Sequence, residues 1–164
     1  MALENAAQTY DLEGRVRTRF AGTQRQAGTG NFACADGEVY IFAGGMAARR
    51  FWANLVQWMK DEHVPDYQSL DDPIWANMKY LNSDEAKDRF ASMFAAVARG
   101  KTKDALYHEA QGRRVPLCPI STVADVAENR QLAYRNFFTT VPHAASGRDI
   151  KMPGAPFVMS ATPS

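Results

Sequence analysis

RVPLCPISTVADVAENRQLAYRNFFTTVPHAASGRDIKMPGAPFVMSATPS, residues 114–164, is the stretch from which the fold is read. Residues 115–120 are apolar enough for a strand. Pro116 and Pro119 lack an amide hydrogen, however, so this is an edge strand or an extended connector, not a central strand. Thr122 followed by Asp125 is a variant of the capping box and predicts a helix opening at Val123. A short second helix follows. After Phe138 the chain turns extended, with strand candidates at 139–141 and 149–152 and Ser146-Gly147 as the turn between them.

Working toward the N-terminus, Thr102 caps a short helix that ends near Gly112. The helix before it starts with Asn82 as cap and Glu85 at its third position. It buries Phe90, Met93, Phe94 and Val97, and stops at Gly100. Residues 64–80, with Pro73, Trp75 and paired aspartates, read as a loop with a helical turn. Phe51, Trp52, Leu55, Val56 and Met59 form the apolar stripe of a helix over 47–62, which Pro65 stops. Asp36-Gly37 is a turn signal between 31–35 and the β-prone 38–43, so a hairpin is expected there. Gly44-Gly45 ends its second strand. Residues 14–30 are polar and rich in arginine, glycine, threonine and glutamine, as in a linker. Residues 2–12 are helical, with Leu3, Ala7 and Tyr10 on one face.

The elements do not alternate as regular βα units. The fold class is α+β: a small antiparallel sheet packed with several helices, preceded by a helix and polar linker and followed by an extended segment. The expected divisions are 1–30 for helix and linker, 31–138 for the small domain, and 139–164 for the extended segment.

Composition narrows the function. The chain has 164 residues, 46% hydrophobic and 23% charged, with a net charge of +1. That is an ordinary globular balance without the basic excess of a nucleic-acid binder. No apolar run is long enough to span a bilayer, and the N-terminus lacks a signal-peptide pattern. Cytoplasmic location is the expectation. Cys34 and Cys118 have no metal spacing and read as reduced, small apolar packers, although sequence alone leaves a disulfide open.

Several motifs carry chemistry only in the right context. Gly28-Thr29-Gly30-Asn31-Phe32-Ala33 matches G-x-G-x-x-A, but a dinucleotide site needs a strand before it and a helix after it. A polar linker precedes this string and a strand follows, so a flexible glycine loop is the better reading. His63, His108 and His143 sit in different elements without ligand spacing, and no metal site is expected. Asp71-Asp72 before Pro73 reads as a solvated turn ahead of an acid–base pair. Arg15, Arg17, Arg19 and Arg25 could meet phosphates but read first as a solvated linker. Phe51, Trp52, Trp58, Phe90 and Phe94 are core or interface aromatics first. Neither a G-x-S-x-G elbow nor a P-loop is present.

Two stretches together resemble the family III CoA-transferases, the group that includes formyl-CoA transferase, carnitine-CoA transferase and the alpha-methylacyl-CoA racemases. One is QAGTGNFACADGEVYIFAGG (26–45), where Phe32, Cys34, Asp36, Gly37 and Val39 hold the places of the family's F-x-C-x-DG-x-V hairpin after a glycine-containing loop. The other is the C-terminal stretch, whose RVPLCPISTVADV and MPGAPFVMSATP fit the family's G-I-P-x-x-P-V and M-P-x-x-P-F-x-x-S strings. Order and spacing carry the match over nearly the whole chain.

The resemblance implies acyl-CoA chemistry. In the family, an aspartate of a large domain attacks the thioester carbonyl, CoA leaves, and the acceptor acid takes over the thioester: nucleophilic covalent catalysis. The small domain contributes the glycine loop, which covers the active site against water. Gln26, Gly28, Thr29 and Gly30 are the loop's implied substrate-binding residues. The catalytic aspartate lies upstream of anything matched here, and Asp36, Asp71 and Asp72 match nothing catalytic. Both ends read as cut, so the expectation is the small-domain portion of a CoA-transferase, inactive alone. Its substrate in the larger context would be a coenzyme A thioester, with no cofactor or metal of its own, and it would work as a homodimer. Two alternatives stand beside it. One is part of an acyl-CoA racemase or isomerase, which would use proton transfer. The other is a non-catalytic assembly module with an exposed apolar face on 2–12 or 139–164.

Overall fold

The computed structural model describes residues 6–14, 16, 24–44, 49–157 and 159–161. Two compact units divide the chain, Met1–Ile120 and Ser121–Ser164. This division follows packing, whereas the limits at 30/31 and 138/139 follow composition.

In the first unit, α1 (Ala6–Glu13) precedes the hairpin of β1 (Thr29–Cys34) and β2 (Gly37–Phe42). Tyr10 and Leu12 of α1 are exposed. The Asp36-Gly37 turn closes the hairpin, with Phe32 opposite Val39 and Gly30 opposite Ile41. β3 (Leu117–Pro119) pairs antiparallel with β2, giving the order β1-β2-β3. It is the edge strand its two prolines predict. Asp36 is also a structural acceptor: its Oδ1 takes the amide hydrogen of Lys103 at 2.7 Å. That bond ties the hairpin turn to the start of α5 (Lys103–Gly112), whose cap is Thr102 as expected.

Helices cover one face of this sheet. α4 (Asp84–Ala98) lays Phe90, Met93, Phe94 and Val97 into the core. Phe32 meets Phe90 and Phe94 edge-on at 5.4 and 5.1 Å. The cap of α4 is Ser83, whose hydroxyl accepts from the Ala86 amide. The expected cap, Asn82, instead ends α3 (Met78–Leu81), its side-chain amide donating to the Met78 carbonyl. Two adjacent residues can both cap in principle. Asn82 is excluded by its helical backbone, whereas a cap residue is extended, as Ser83 is.

α2 (Arg49–Asp61) buries Leu55, Trp58 and Met59. Trp52 and Val56 flank that face half-buried, but Phe51 is exposed and is not part of the core. The 64–80 segment holds more structure than one turn: two 3-10 helices, Tyr67–Asp71 and Pro73–Ala76, lead into α3.

Side chains on the other face of the sheet alternate with Val39 and Ile41 along β2. Tyr40 and Phe42 of β2 are 37% and 50% exposed. Cys118 lies opposite Tyr40 on the same face, so it is exposed and not a packer. Cys34 does pack against the core, and both thiols are free.

A polar network roofs Trp58. Lys101 Nζ bonds Glu62 at 2.9 Å and Glu109 at 2.8 Å, and Arg113 pairs with Asp61. The hydrogen bond from Lys101 holds the Glu62 carboxyl below its ordinary value of 4.5. Burial works against the Lys101 charge, but its bonds to Glu109 and Glu62 outweigh that and raise its pKa above 10.5. A depressed acid stabilises above its unfolded pKa and loses that contribution as pH falls through the folded one; a raised base loses its contribution only at high pH. Glu62→Gln should therefore flatten the loss of stability over the acid range below roughly pH 5. Denaturant midpoints across that range measure it, and parallel curves for the two proteins would reject the pairing.

The second unit contains α6 (Val123–Ala127), α7 (Arg130–Tyr134), and a hairpin of β4 (Phe138–His143) and β5 (Arg148–Pro153). The Thr122–Asp125 capping box is complete. Gly147, at φ +63°, shapes the turn. Lys151 Nζ sits 4.5 Å over the Phe138 ring and donates to the Ala127 carbonyl at 2.6 Å. None of the described residues of this unit is buried.

Candidate functional site

Gln26, Gly28, Thr29 and Gly30 come together in a tight, hydrogen-bonded turn leading into β1. The Thr29 amide donates back to the Gln26 carbonyl at 3.0 Å, and the Arg25 amide to the Thr29 carbonyl at 2.9 Å. Two neighbours pin the turn. The Ala27 amide reaches the Leu81 carbonyl at 2.8 Å, and the Ala43 and Gly44 amides converge on the Gly28 carbonyl at 2.9 and 3.1 Å. Gly28 lies at φ +79° and Gly30 at φ +153°, conformations glycine adopts without penalty.

Ala27 to Gly30 are buried, while Gln26 is half-exposed. Thr29 is the one buried polar residue among the described residues. Its Oγ1 accepts from the Gly44 amide at 3.2 Å. A buried side-chain oxygen with a partner is a structural asset; without one it would be costly.

Trp52 backs the turn. A Cβ on Gly28 would fall 2.9 Å from its Cζ3. The indole is itself held, 5.5 Å from Trp75 and 5.9 Å from Phe90 between ring centroids. Trp75 donates to the Ser69 carbonyl at 2.9 Å and carries the Arg89 guanidinium over its face at 5.9 Å. Arg89 in turn bonds Asp66 and the Tyr80 hydroxyl. Its guanidinium holds the Asp66 carboxyl below the usual aspartate range.

The chemistry open to this turn is limited. Gln26 to Gly30 contain no side chain that titrates near neutral pH, and their one hydroxyl, on Thr29, is buried against the Gly44 amide with no base beside it in the turn. The turn can pack against a ligand, orient it through amides and exclude water. It offers no acid, base or activated nucleophile of its own.

Other residues singled out from the sequence are dispersed. Asp72 Oδ1 caps the second 3-10 helix through the Ile74 amide, and Asp71 pairs with Lys60, so the two carboxylates do separate structural work. His108 lies near Asp104, His63 near the Asp61 carbonyl, and His143 near Ser146. Among the described residues there is no group of three or more potential metal ligands. Arg25 is exposed, and Arg15, Arg17 and Arg19 lie outside the described residues. The G-x-G-x-x-A string runs into β1 and a turn, not a helix. No described helix is long and apolar enough to cross a membrane.

Sequence reasoning places Trp52 at the core, where it does pack, without its contact to the turn, and reads Gly44 only as a strand end. The glycine doublet at 44–45 is the available signal, since a strand can end at many residue types but a close backbone approach needs glycine.

The sequence profile of CoA-transferase family III matches residues 1–164. The chain is 37% identical over 158 residues to the succinyl-CoA:(R)-benzylsuccinate CoA-transferase subunit BbsE of Thauera aromatica. That alignment covers 96% of this chain and 38% of the relative, so the chain spans well under half of the relative's length. Among solved structures, a CAIB/BAIF family protein from Brucella suis superposes with a TM-score of 0.64 at 20% identity, covering 98% of this chain and 39% of that one. A point mutant of Rv3272 from Mycobacterium tuberculosis gives 0.62 at 17% identity, with coverage of 98% and 38%. At such identities the structures speak for the fold alone. The family profile over every residue and the identity to a curated relative go further: the chain belongs to CoA-transferase family III.

Proposed function

We propose that this chain is part of a CoA-transferase that moves coenzyme A from an acyl-CoA to a carboxylic acid. It supplies the small α+β domain and the glycine loop Gln26–Gly30. The observation that carries this reading is the 37% identity over nearly the whole chain to a subunit named for that reaction. The loop's chemistry agrees, because it offers orientation and water exclusion without a reacting group. The nucleophilic carboxylate then belongs to the part of the relative's length that this chain does not span. Without that carboxylate, the chain by itself is inactive.

In this reading the loop packs beside the thioester while the carboxylate attacks its carbonyl. The carbon–sulfur bond breaks and the thiolate of CoA leaves, giving a mixed anhydride; the thiolate then attacks the enzyme's own carbonyl in that anhydride, which releases the donor acid and leaves an enzyme–CoA thioester. The acceptor carboxylate attacks that thioester, and the thiolate it displaces closes on the acceptor's carbonyl in the second anhydride, freeing the enzyme carboxylate. Excluding water matters because an acyl-enzyme anhydride hydrolyses readily. A dicarboxylic acyl-CoA such as succinyl-CoA is the first donor to try, following the relative's name. We place the enzyme in the cytoplasm, as a homodimer; the word subunit in the relative's name supports assembly in general.

The test uses protein captured from its source cells with an antibody raised against this chain. It is incubated with succinyl-CoA and a panel of carboxylic acids. A new acyl-CoA, read by mass spectrometry, is the expected product, with none formed by the 164-residue chain alone. Deuterium uptake at the α-carbon without CoA exchange would instead indicate a racemase. Neither activity would leave the assembly reading. Light scattering at one protomer's mass would overturn the homodimer.

A further inference from the structure

The loop is held from one side by Gly44, a residue that the sequence marks only as part of a glycine doublet. A Cβ on Gly44 would lie 2.2 Å from the Ala27 carbonyl oxygen, 3.0 Å from Gln26 Nε2 and 3.2 Å from Thr29 Oγ1. The first of these distances is impossible for any residue with a side chain unless the backbone moves. Gly44 is therefore the bare surface over which the turn is folded, and the Gln26 amide lies across it. The Gly44 amide adds two bonds, to the Gly28 carbonyl and to the Thr29 hydroxyl.

The four loop residues are unequal. Thr29 is 2% exposed, and its hydroxyl is turned inward to the Gly44 amide. Gly28 and Gly30 offer no side chain. Gln26 is half-exposed, and among the described residues its side-chain amide makes no hydrogen bond. It is the one polar side chain of the turn still free to meet a substrate.

We propose that Gly44 and Thr29 form a clasp that sets the 26–30 turn in one conformation and so positions the Gln26 amide toward the acyl-CoA. The proposal rests on the CoA-transferase reading above. In it, Gly44 and Thr29 are positioning residues acting through Gln26, and the turn behaves as a fixed strut. A primary amide suits a thioester substrate: its NH2 can donate to the carbonyl oxygen, on which negative charge grows as the carboxylate adds.

The clasp is tested by removing its acceptor without changing side-chain size. Thr29→Val loses the hydroxyl, Thr29→Ser keeps it, and Gly44→Ala forces the turn away. Each is introduced into the gene in its source cells and the protein is purified whole. Thr29→Val should lower kcat about tenfold while KM for the acyl-CoA changes by less than about threefold, because orientation is lost and not contact area. Thr29→Ser should return kcat to within about twofold of the parent protein, which a purely space-filling role would not require. The Gly44 amide should exchange faster with deuterium in Thr29→Val and at the parent rate in Thr29→Ser. An active parent whose Thr29→Val form is equally active overturns the clasp, as does a Thr29→Ser form as impaired as Thr29→Val. An inactive parent overturns the transferase reading and the role of Gln26 with it; unaltered exchange at Gly44 would then also dispose of the clasp as a structure. Gly44→Ala is the steric arm, and Thr29→Val decides the matter if Gly44→Ala does not fold.

Discussion

Phe90→Ala should lower the stability of the chain by about 3–5 kcal/mol. The side chain is fully buried at the centre of the aromatic core. It meets Phe32 of the sheet at 5.4 Å, Trp52 of α2 at 5.9 Å, and stacks with Phe94 at 6.3 Å and an interplanar angle of 4°. One ring thus joins three elements, and none of them can close the gap without leaving the others. The cavity cost is then near its full value, since sites that cannot collapse show the largest losses. Domains of this kind have only about 5–15 kcal/mol to lose. Urea unfolding followed by tryptophan fluorescence measures the change. A loss below about 1 kcal/mol would mean that the core relaxes around the missing ring.

Gly28→Ala should cost about 2–5 kcal/mol, from two sources. A residue with a Cβ at φ +79° carries about 1–2 kcal/mol of steric strain. The new methyl would also stand 2.9 Å from Trp52 Cζ3 and 3.3 Å from the Gly44 amide nitrogen. A free indole would swing away, but this one is wedged between Trp75 and Phe90. The two sources separate in a double-mutant cycle. In a Trp52→Leu background the closest contact is relieved, and Gly28→Ala should cost only the strain and the residual crowding against the Gly44 backbone. Equal costs in both backgrounds would show that Trp52 is not what confines the turn.

These effects differ in how far the sequence reveals them. The Phe90 stripe is plain, because large apolar side chains repeating every 3.6 residues mark a helix with one buried face. The Asp36-Gly37 hairpin, the Thr122–Asp125 box and the edge character of 115–120 are equally legible, each resting on chemistry within a few residues. Asn82 and Ser83 show where local chemistry stops being enough: both suit a cap, and the choice depends on where α3 ends. Phe51 shows the same at the level of packing, since periodicity gives the width of an apolar stripe but not which rim faces solvent.

The site is less legible still. The family resemblance points to Gln26, Gly28, Thr29 and Gly30, and the structure gathers them into one turn. It does not point to Gly44, because the requirement for glycine there is a distance to Ala27, and such a distance exists only after the sheet has formed. Nor does it separate Gln26 from Thr29. Both are polar, and only burial distinguishes the side chain that holds the turn from the one left open.

The pairing of Val39 with Pro119 sets an order in time. The β1–β2 hairpin and the β4–β5 hairpin each join neighbouring residues across a short turn, and such hairpins close in about 1–10 μs. β3 cannot add to β2 until α2, α4 and α5, which lie between them in the chain, have been brought into a compact form. Closing that long loop costs entropy before its few ladder bonds return anything. The sheet is therefore completed late, and the search for β3 should pace the folding of the first unit.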